Sequence, residues 1–310
     1  MNNIIQKNKN SIIGRSRGDI IFDAITFIIL TIIFIIVAYP LYFVVISSFS
    51  NPNAVASGDV ILYPVGINFD GYKKVFENKK VITGFINSII YTICGVILDL
   101  SVTIPTAYAL SRKDFYGQKF VMIYYLITMF VNGGMIPTYL VVKNCGLLNT
   151  MWAVILPGSM NVYNMIVAKT FFRSNLPNEL LEAAKLDGCS NVKFFFSIAI
   201  PLSNALIAVM VLFFGVGQWN EYFNALLYFS DEKKFPLQLV LRSILIQNSM
   251  QLVTKNNLSG EAMKAIEKQR QTVELMKYSL IIISSIPVLV IYPFVQKHFV
   301  KGVMIGSVKG

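Results

Sequence analysis

The sequence predicts an all-α integral membrane protein with six transmembrane helices. The chain of 310 residues is 55% hydrophobic and only 14% charged. Its mean hydropathy of +0.60 exceeds what a soluble domain of this size carries, because such a domain needs more charge on its surface. Its apolar residues also gather into six stretches, each long enough to cross about 30 Å of hydrocarbon at ~1.5 Å per residue. The formal charge of +11 is spread between these stretches instead of forming one stripe. It therefore serves to orient the chain against anionic lipid and not to bind nucleic acid.

Residues 1–19, MNNIIQKNKNSIIGRSRGD, form a polar, basic lead-in expected on the cytoplasmic side. The apolar stretch behind them is longer than a signal h-region and has no small-residue cleavage site, so the first span is expected to be retained. The spans run over about 20–49, 81–110, 120–142, 148–172, 194–216 and 278–299, within a membrane domain of 20–300. The segment between spans 4 and 5, about 176–190, falls inside, a loop of about 217–277 falls outside, and 301–310 is a cytoplasmic tail. Placing both termini in the cytoplasm puts 14 of the 27 Lys and Arg residues in the shorter inner segments. Lys73, Lys74, Lys79 and Lys80 on the first outer loop pull the other way.

Pro40, Pro105, Gly133, Gly134, Pro137, Pro157, Pro201 and Pro287 fall within spans. Helix breaks at that depth need neighbouring helices or water to satisfy the freed carbonyls, which suits a bundle that lines a path and moves. The other reading is that Pro and Gly are simply common in membrane helices. Spans 1–3 show no long self-similarity to spans 4–6, against an inverted-repeat carrier.

Several chemistries lack their residues. Cys94, Cys145 and Cys189 fall in a span, an outer loop and an inner loop, so no pair shares an oxidising compartment. One histidine, His298, and no CxxC or HExxH spacing leave no basis for a metal site. No GxxxxGK[ST] run exists to cradle a nucleotide phosphate, and no GxSxG elbow to carry a nucleophile. The chain is expected to be non-catalytic.

The stretch LPNELLEAAKLDGCSNVKFFFSIAIPL, residues 176–202, places a short charged helix directly against an apolar span. Pro177 fits its first turn, Glu179 and Glu182 oppose the N-terminal dipole, and Gly188 supplies a left-handed residue that ends it. Ala183 and Ala184 keep its middle slim, while Leu180, Leu181 and Leu186 offer apolar grip to a partner's groove.

Glu182-Ala183-Ala184, then Asp187-Gly188, then Ile200-Pro201-Leu202 resemble the EAA loop of ABC importer permeases. The runs AYALSRKDFYGQ (107–118), GGMIPTYLVVKNCGLLNT (133–150), WAVILPG (152–158) and KHFVKGVMIGSVKG (297–310) are similar to carbohydrate-type permeases of the MalG-like branch, closest to the Gram-positive group serving complex oligosaccharides. The resemblance covers about residues 20–310 and implies the type I ABC importer permease fold in a bacterial plasma membrane. It makes Glu182, Ala183, Ala184, Asp187 and Gly188 the coupling site for a partner ATPase. It implies a second homologous permease, two cytoplasmic ATP-binding subunits that bind the ATP and Mg, and an extracellular sugar-binding lipoprotein. No cofactor is expected on this chain. In family terms the 217–277 region can reach into the binding protein; the other reading is a solvated strut.

A neutral sugar calls for amides, hydroxyls and aromatic faces along its path. Asn87, Tyr91, Asn132, Asn161, Tyr163, Asn164 and Asn220 are of the right kind, and each could equally bond one helix to another. Apart from Asp23 at the edge of the first span, Asp99 is the one acid placed inside a span. It supports a rival reading as the coupling acid of a proton-driven carrier, against a structural role satisfied by a neighbouring helix or water. A further alternative keeps the ABC importer and changes the cargo to a non-sugar.

Overall fold

The structure is a computed structural model that describes residues 17–253, 273–274 and 276–293. Helix is the only regular secondary structure among the described residues. The chain divides into two compact units at residues 68 and 69.

In the first unit, α1 (Arg17–Ser48) is long and apolar enough to cross a membrane, with Pro40 inside it. The chain then turns back on the end of α1. The Asn51 amide donates to the Val65 carbonyl at 2.9 Å and the Asn68 amide to that of Phe49 at 2.8 Å. Asn51 also caps the short α2 (Pro52–Ser57), where Pro52 takes the first-turn position that needs no donor. The Tyr39 and Tyr42 hydroxyls donate to the Ile61 and Leu62 carbonyls and fasten the return.

The second unit opens with α3 (Asp70–Glu77) and α4 (Lys79–Ser111), the latter capped by the Asn78 side chain, which accepts from the Lys80 amide. Much of the later packing is built on α4. The third expected span is instead two helices, α5 (Gln118–Phe130) and α6 (Met135–Asn144), that meet at 114°. Gly134 sits at φ +90° and its amide bonds the Asn132 side chain at 2.8 Å, so the break is closed locally. The fourth is also interrupted: α7 (Trp152–Ile155), a 3-10 turn holding Pro157, then α8 (Val162–Asn175). At 14 residues, α8 reaches only about 21 Å.

α9 (Asn178–Leu186) leads to α10 (Asn191–Phe194), a π turn over Phe195–Ala199, α11 (Ile200–Leu202) and α12 (Asn204–Trp219). Pro201 has no amide to return to the Ser197 carbonyl, and the turn ahead of it widens. At Ser203 the axis turns by 80°. Beyond lie α13 (Phe223–Tyr228), α14 (Leu237–Val253) and α15 (Met276–Pro293). By length and composition the described residues hold three spans, α1, α4 and α15, or up to five if each bent pair is one span. Of the six expected spans, those over 20–49, 81–110 and 278–299 are each met by one long apolar helix among the described residues, and those over 120–142, 148–172 and 194–216 by helices broken near Gly134, Pro157 and Pro201.

The first half of the expected outer segment is packed. α8, α12 and α14 all lie on α4, and Ala225 and Leu237 are fully buried. Gly84 allows α14 this close: a Cβ there would stand 3.0 Å from Val240 Cγ2 and 3.3 Å from the Leu237 backbone. The Ser88 hydroxyl accepts the buried Leu237 amide at 2.8 Å. Ser88→Ala leaves that donor unpaired and is expected to destabilise the chain by about 1–3 kcal/mol, read as a lower thermal midpoint of the detergent-solubilised protein. Across the other face, the Trp219 indole donates to the Ser284 carbonyl at 2.9 Å and joins α12 to α15. Residues 254–272 of that segment, with His298 and the 301–310 tail, lie outside the described residues.

Candidate functional site

Leu180, Leu181 and Ala184 share one face of α9 by their i, i+3 and i+4 spacing, and that face is packed against the bundle. Ala184 is 8% exposed, whereas Leu186 is 90% exposed, and Glu179, Glu182 and Ala183 lie on the open side. The two alanines therefore separate: Ala184 lets α9 approach its own bundle closely, and Ala183 alone stays slim outward. Leu180 and Leu181 are likewise spent on the chain's own core, leaving Leu186 as the outward apolar residue of the three.

α9 ends in a paired left-handed cap. Gly188 stands at φ +74°; its amide donates to the Lys185 carbonyl at 3.0 Å, and the Cys189 amide to that of Ala184 at 2.9 Å. Immediately beyond, Phe194 and Phe195 are buried with Tyr108 and Phe172, while Phe196 is exposed. The Tyr108 ring lies 5.0 Å from Phe195, 6.4 Å from Phe194 and 5.7 Å from Phe172, measured between centroids. An aromatic knot thus holds both ends of the helix-bearing loop to α4.

Asp114, in the turn after α4, adds an electrostatic tie. Its carboxylate accepts from Arg112 Nε at 2.8 Å and Nη2 at 2.5 Å, and from Lys185 Nζ on α9 at 3.2 Å. Arg112 also donates to the Tyr108 hydroxyl at 2.9 Å. Beside this tie, residues of α4, α8 and α9 enclose a cleft of about 370 Å³ lined by Arg112, Phe172, Pro177 and Glu179 among others. The sequence marked 107–118 only as a point of resemblance; what it hid is that Asp114 and Lys185 meet 71 positions apart.

Hydrogen bonds from the Arg112 guanidinium, and then from Lys185, hold the Asp114 carboxyl well below the ordinary carboxylate range. A carboxyl depressed in the folded state stabilises it above the unfolded pKa of about 4 and loses that contribution as the pH falls below it. Because the Asp114 side chain is half exposed, screening limits the effect. Asp114→Asn is expected to cost less than about 1 kcal/mol near neutrality, a difference that narrows in acid. Thermal unfolding of both proteins from about pH 3 to 8 reads it.

The residues expected along a cargo path divide into groups. Asn87 Nδ2 donates to the Lys233 and Phe235 carbonyls, and the Tyr91 hydroxyl to that of Lys234 at 2.9 Å. Both are committed to holding residues 233–235 on α4. Asn132 closes the α5–α6 break, and Asn220 Nδ2 bonds the Val216 carbonyl at the end of α12. Tyr163 is 60% exposed on α8.

Asn161 and Asn164 line a common cleft, of about 200 Å³, with Asp99, Gln218, Glu221 and Asn224. Asp99 is 2% exposed; one carboxylate oxygen accepts from Gln218 Nε2 at 3.3 Å and the other has no partner among the described residues. Sequence reasoning missed Gln218, Glu221 and Asn224. The signal was the QWNEYFN run itself, whose polar residues follow a long apolar helix.

Residues 81–305 match the family described as "Binding-protein-dependent transport system inner membrane component". Protein LplC of Bacillus subtilis (strain 168) is 40% identical over 290 residues, covering 94% of this chain and 95% of that protein. The polygalacturonan/rhamnogalacturonan transport system permease protein YtcP of the same organism is 38% identical over 290 residues, 94% and 99% of the two chains. A solved structure of a bacterial ABC transporter involved in the import of the acidic polysaccharide alginate superimposes with a TM-score of 0.81 at 32% identity, over 92% of this chain and 99% of that one.

Proposed function

The chain belongs to the family of binding-protein-dependent transport system inner membrane components, and from this premise we propose that it forms half of the pathway of an ATP-driven oligosaccharide importer. Its role is that of a membrane transport subunit. A second permease supplies the other half, two ATPase subunits bind ATP and Mg on the cytoplasmic side, and an extracellular glycan-binding lipoprotein delivers the cargo. The chain lies in a bacterial plasma membrane with both termini in the cytoplasm. The oligosaccharide reading draws on the cargo named for the relatives.

The observation that carries this reading is α9. It is a short amphipathic helix whose inner face is sealed to the bundle and whose outer face presents Glu179, Glu182, Ala183 and Leu186 to solvent. Asp187 and Gly188 close it, and Phe194 and Phe195 root the chain that follows. A groove on an ATPase subunit that takes this face moves the two bent arms behind it. Closure of the nucleotide-binding pair then shifts the permease pair between outward and inward access, by the difference in binding free energy between the two states.

Uptake of labelled oligosaccharide in cells tests the energy source. A protonophore that leaves ATP intact is expected to leave uptake running, and ATP depletion to stop it. Uptake that stops with the proton gradient alone would overturn the reading in favour of a proton-coupled carrier using Asp99.

A further inference from the structure

We propose that the cleft between α4, α8 and α12 is a subsite for one hydroxyl-rich sugar ring bearing no carboxylate. The proposal rests on the importer reading above and names part of its cargo. The cleft, of about 200 Å³, has room for about six waters at ~30 Å³ each, the scale of a single ring and not of an oligosaccharide.

Its chemistry is unusual for a bundle interior. Asp99 offers a buried carboxylate oxygen with no hydrogen-bond partner among the described residues, and a group in that position calls for a donor. Its other oxygen is held by Gln218, which fixes the carboxylate in place. Glu221 accepts the Asn224 amide at 2.9 Å through Oε1. Asn164 and Asn224 add side-chain amides that both donate and accept. Phe213, exposed at the edge, supplies an apolar face. Carboxylates that accept from hydroxyls, amides that serve either way and one aromatic face together match a sugar ring.

The same lining selects by charge. Among the described residues it contains Asp99 and Glu221 and no Lys, Arg or His. A uronate would bring a third carboxylate into a poorly screened site whose described lining offers no cation to pair it. The subsite therefore takes a ring without a carboxylate, even though one relative is named for polygalacturonan/rhamnogalacturonan transport and a structural neighbour for import of the acidic polysaccharide alginate.

Binding to the assembled permease–ATPase complex in nanodiscs, with no binding protein added, tests this. The probes are labelled neutral trisaccharides of galactose, glucose and xylose, and trigalacturonate. At least one neutral probe is expected to bind about tenfold or more tighter than trigalacturonate, and Asp99→Asn and Glu221→Gln each to narrow that ratio by about threefold or more. Glu221→Gln keeps the acceptor for Asn224 and lies at a half-buried position, so it still decides the matter should Asp99→Asn fail to assemble. Trigalacturonate binding as tightly as every neutral probe, no binding of any neutral probe, or a ratio that Glu221→Gln does not move would each overturn the subsite. ATP-dependent glycan uptake alongside any of these leaves the importer reading intact, whereas the absence of all ATP-dependent glycan uptake strikes that reading instead.

Discussion

Gly188→Val is expected to reduce glycan uptake by about tenfold or more while the protein remains in the membrane. At φ +74° an L-residue is strained, and a β-branched one most of all. Among the described residues, no atom beyond the adjoining residues stands within 4 Å of the Cβ that would be added, so the penalty is conformational and confined to the cap. Relieving it means rotating the backbone out of the left-handed region. That releases the bonds from the Gly188 and Cys189 amides to the Lys185 and Ala184 carbonyls. α9 would then fray at the end that leads into the buried Phe194–Phe195 pair, and a push on the helix would dissipate before reaching α12. Glu182→Ala should act more mildly, because an exposed carboxylate contributes little. Uptake normalised to membrane-extracted protein makes the measurement, and a well-expressed Gly188→Val chain with normal uptake would remove α9 from the coupling role.

Gly95→Ala carries the second large effect, on stability. The added Cβ would lie 2.6 Å from Gln218 Cδ and 2.9 Å from both Cγ and Nε2. Gln218 must then leave the groove over α4, and it takes with it the hydrogen bond to Asp99 at 3.3 Å. Overpacking and the stranded carboxylate together are expected to cost about 1–3 kcal/mol. Thermal unfolding of Gly95→Ala, Gln218→Ala and the double variant measures the coupling: the double variant should be less unstable than the sum of the two. Strictly additive losses would mean that the small residue at 95 and the amide at 218 act independently.

Hydropathy made α1, α4 and the start of α15 legible because an apolar run of sufficient length has few other uses in a chain this poor in charge. The closure of α9 was legible because Asp187-Gly188 after a run of helix formers carries its own local geometry. The bends at Val131–Gly134 and at Ser203 were not, since the windows across them stay apolar whether the axis is straight or turned. Pro137 and Pro201 marked both neighbourhoods without fixing an angle.

The cargo-path candidates failed to separate for a different reason. Whether Asn87 and Tyr91 face a channel or hold backbone carbonyls depends on residues 233–235, almost 150 positions away. The Asp99–Gln218 pair likewise spans 119 positions. A side chain's type says what bonds it can make; only the fold says which partner reaches it first.

The 80° turn at Ser203 makes the segment from Asn191 to Trp219 a bell crank. In the proposed importer, a thrust delivered along the first arm would emerge at the second as a sideways swing, turning a small stroke under the membrane into a sweep across the space between subunits.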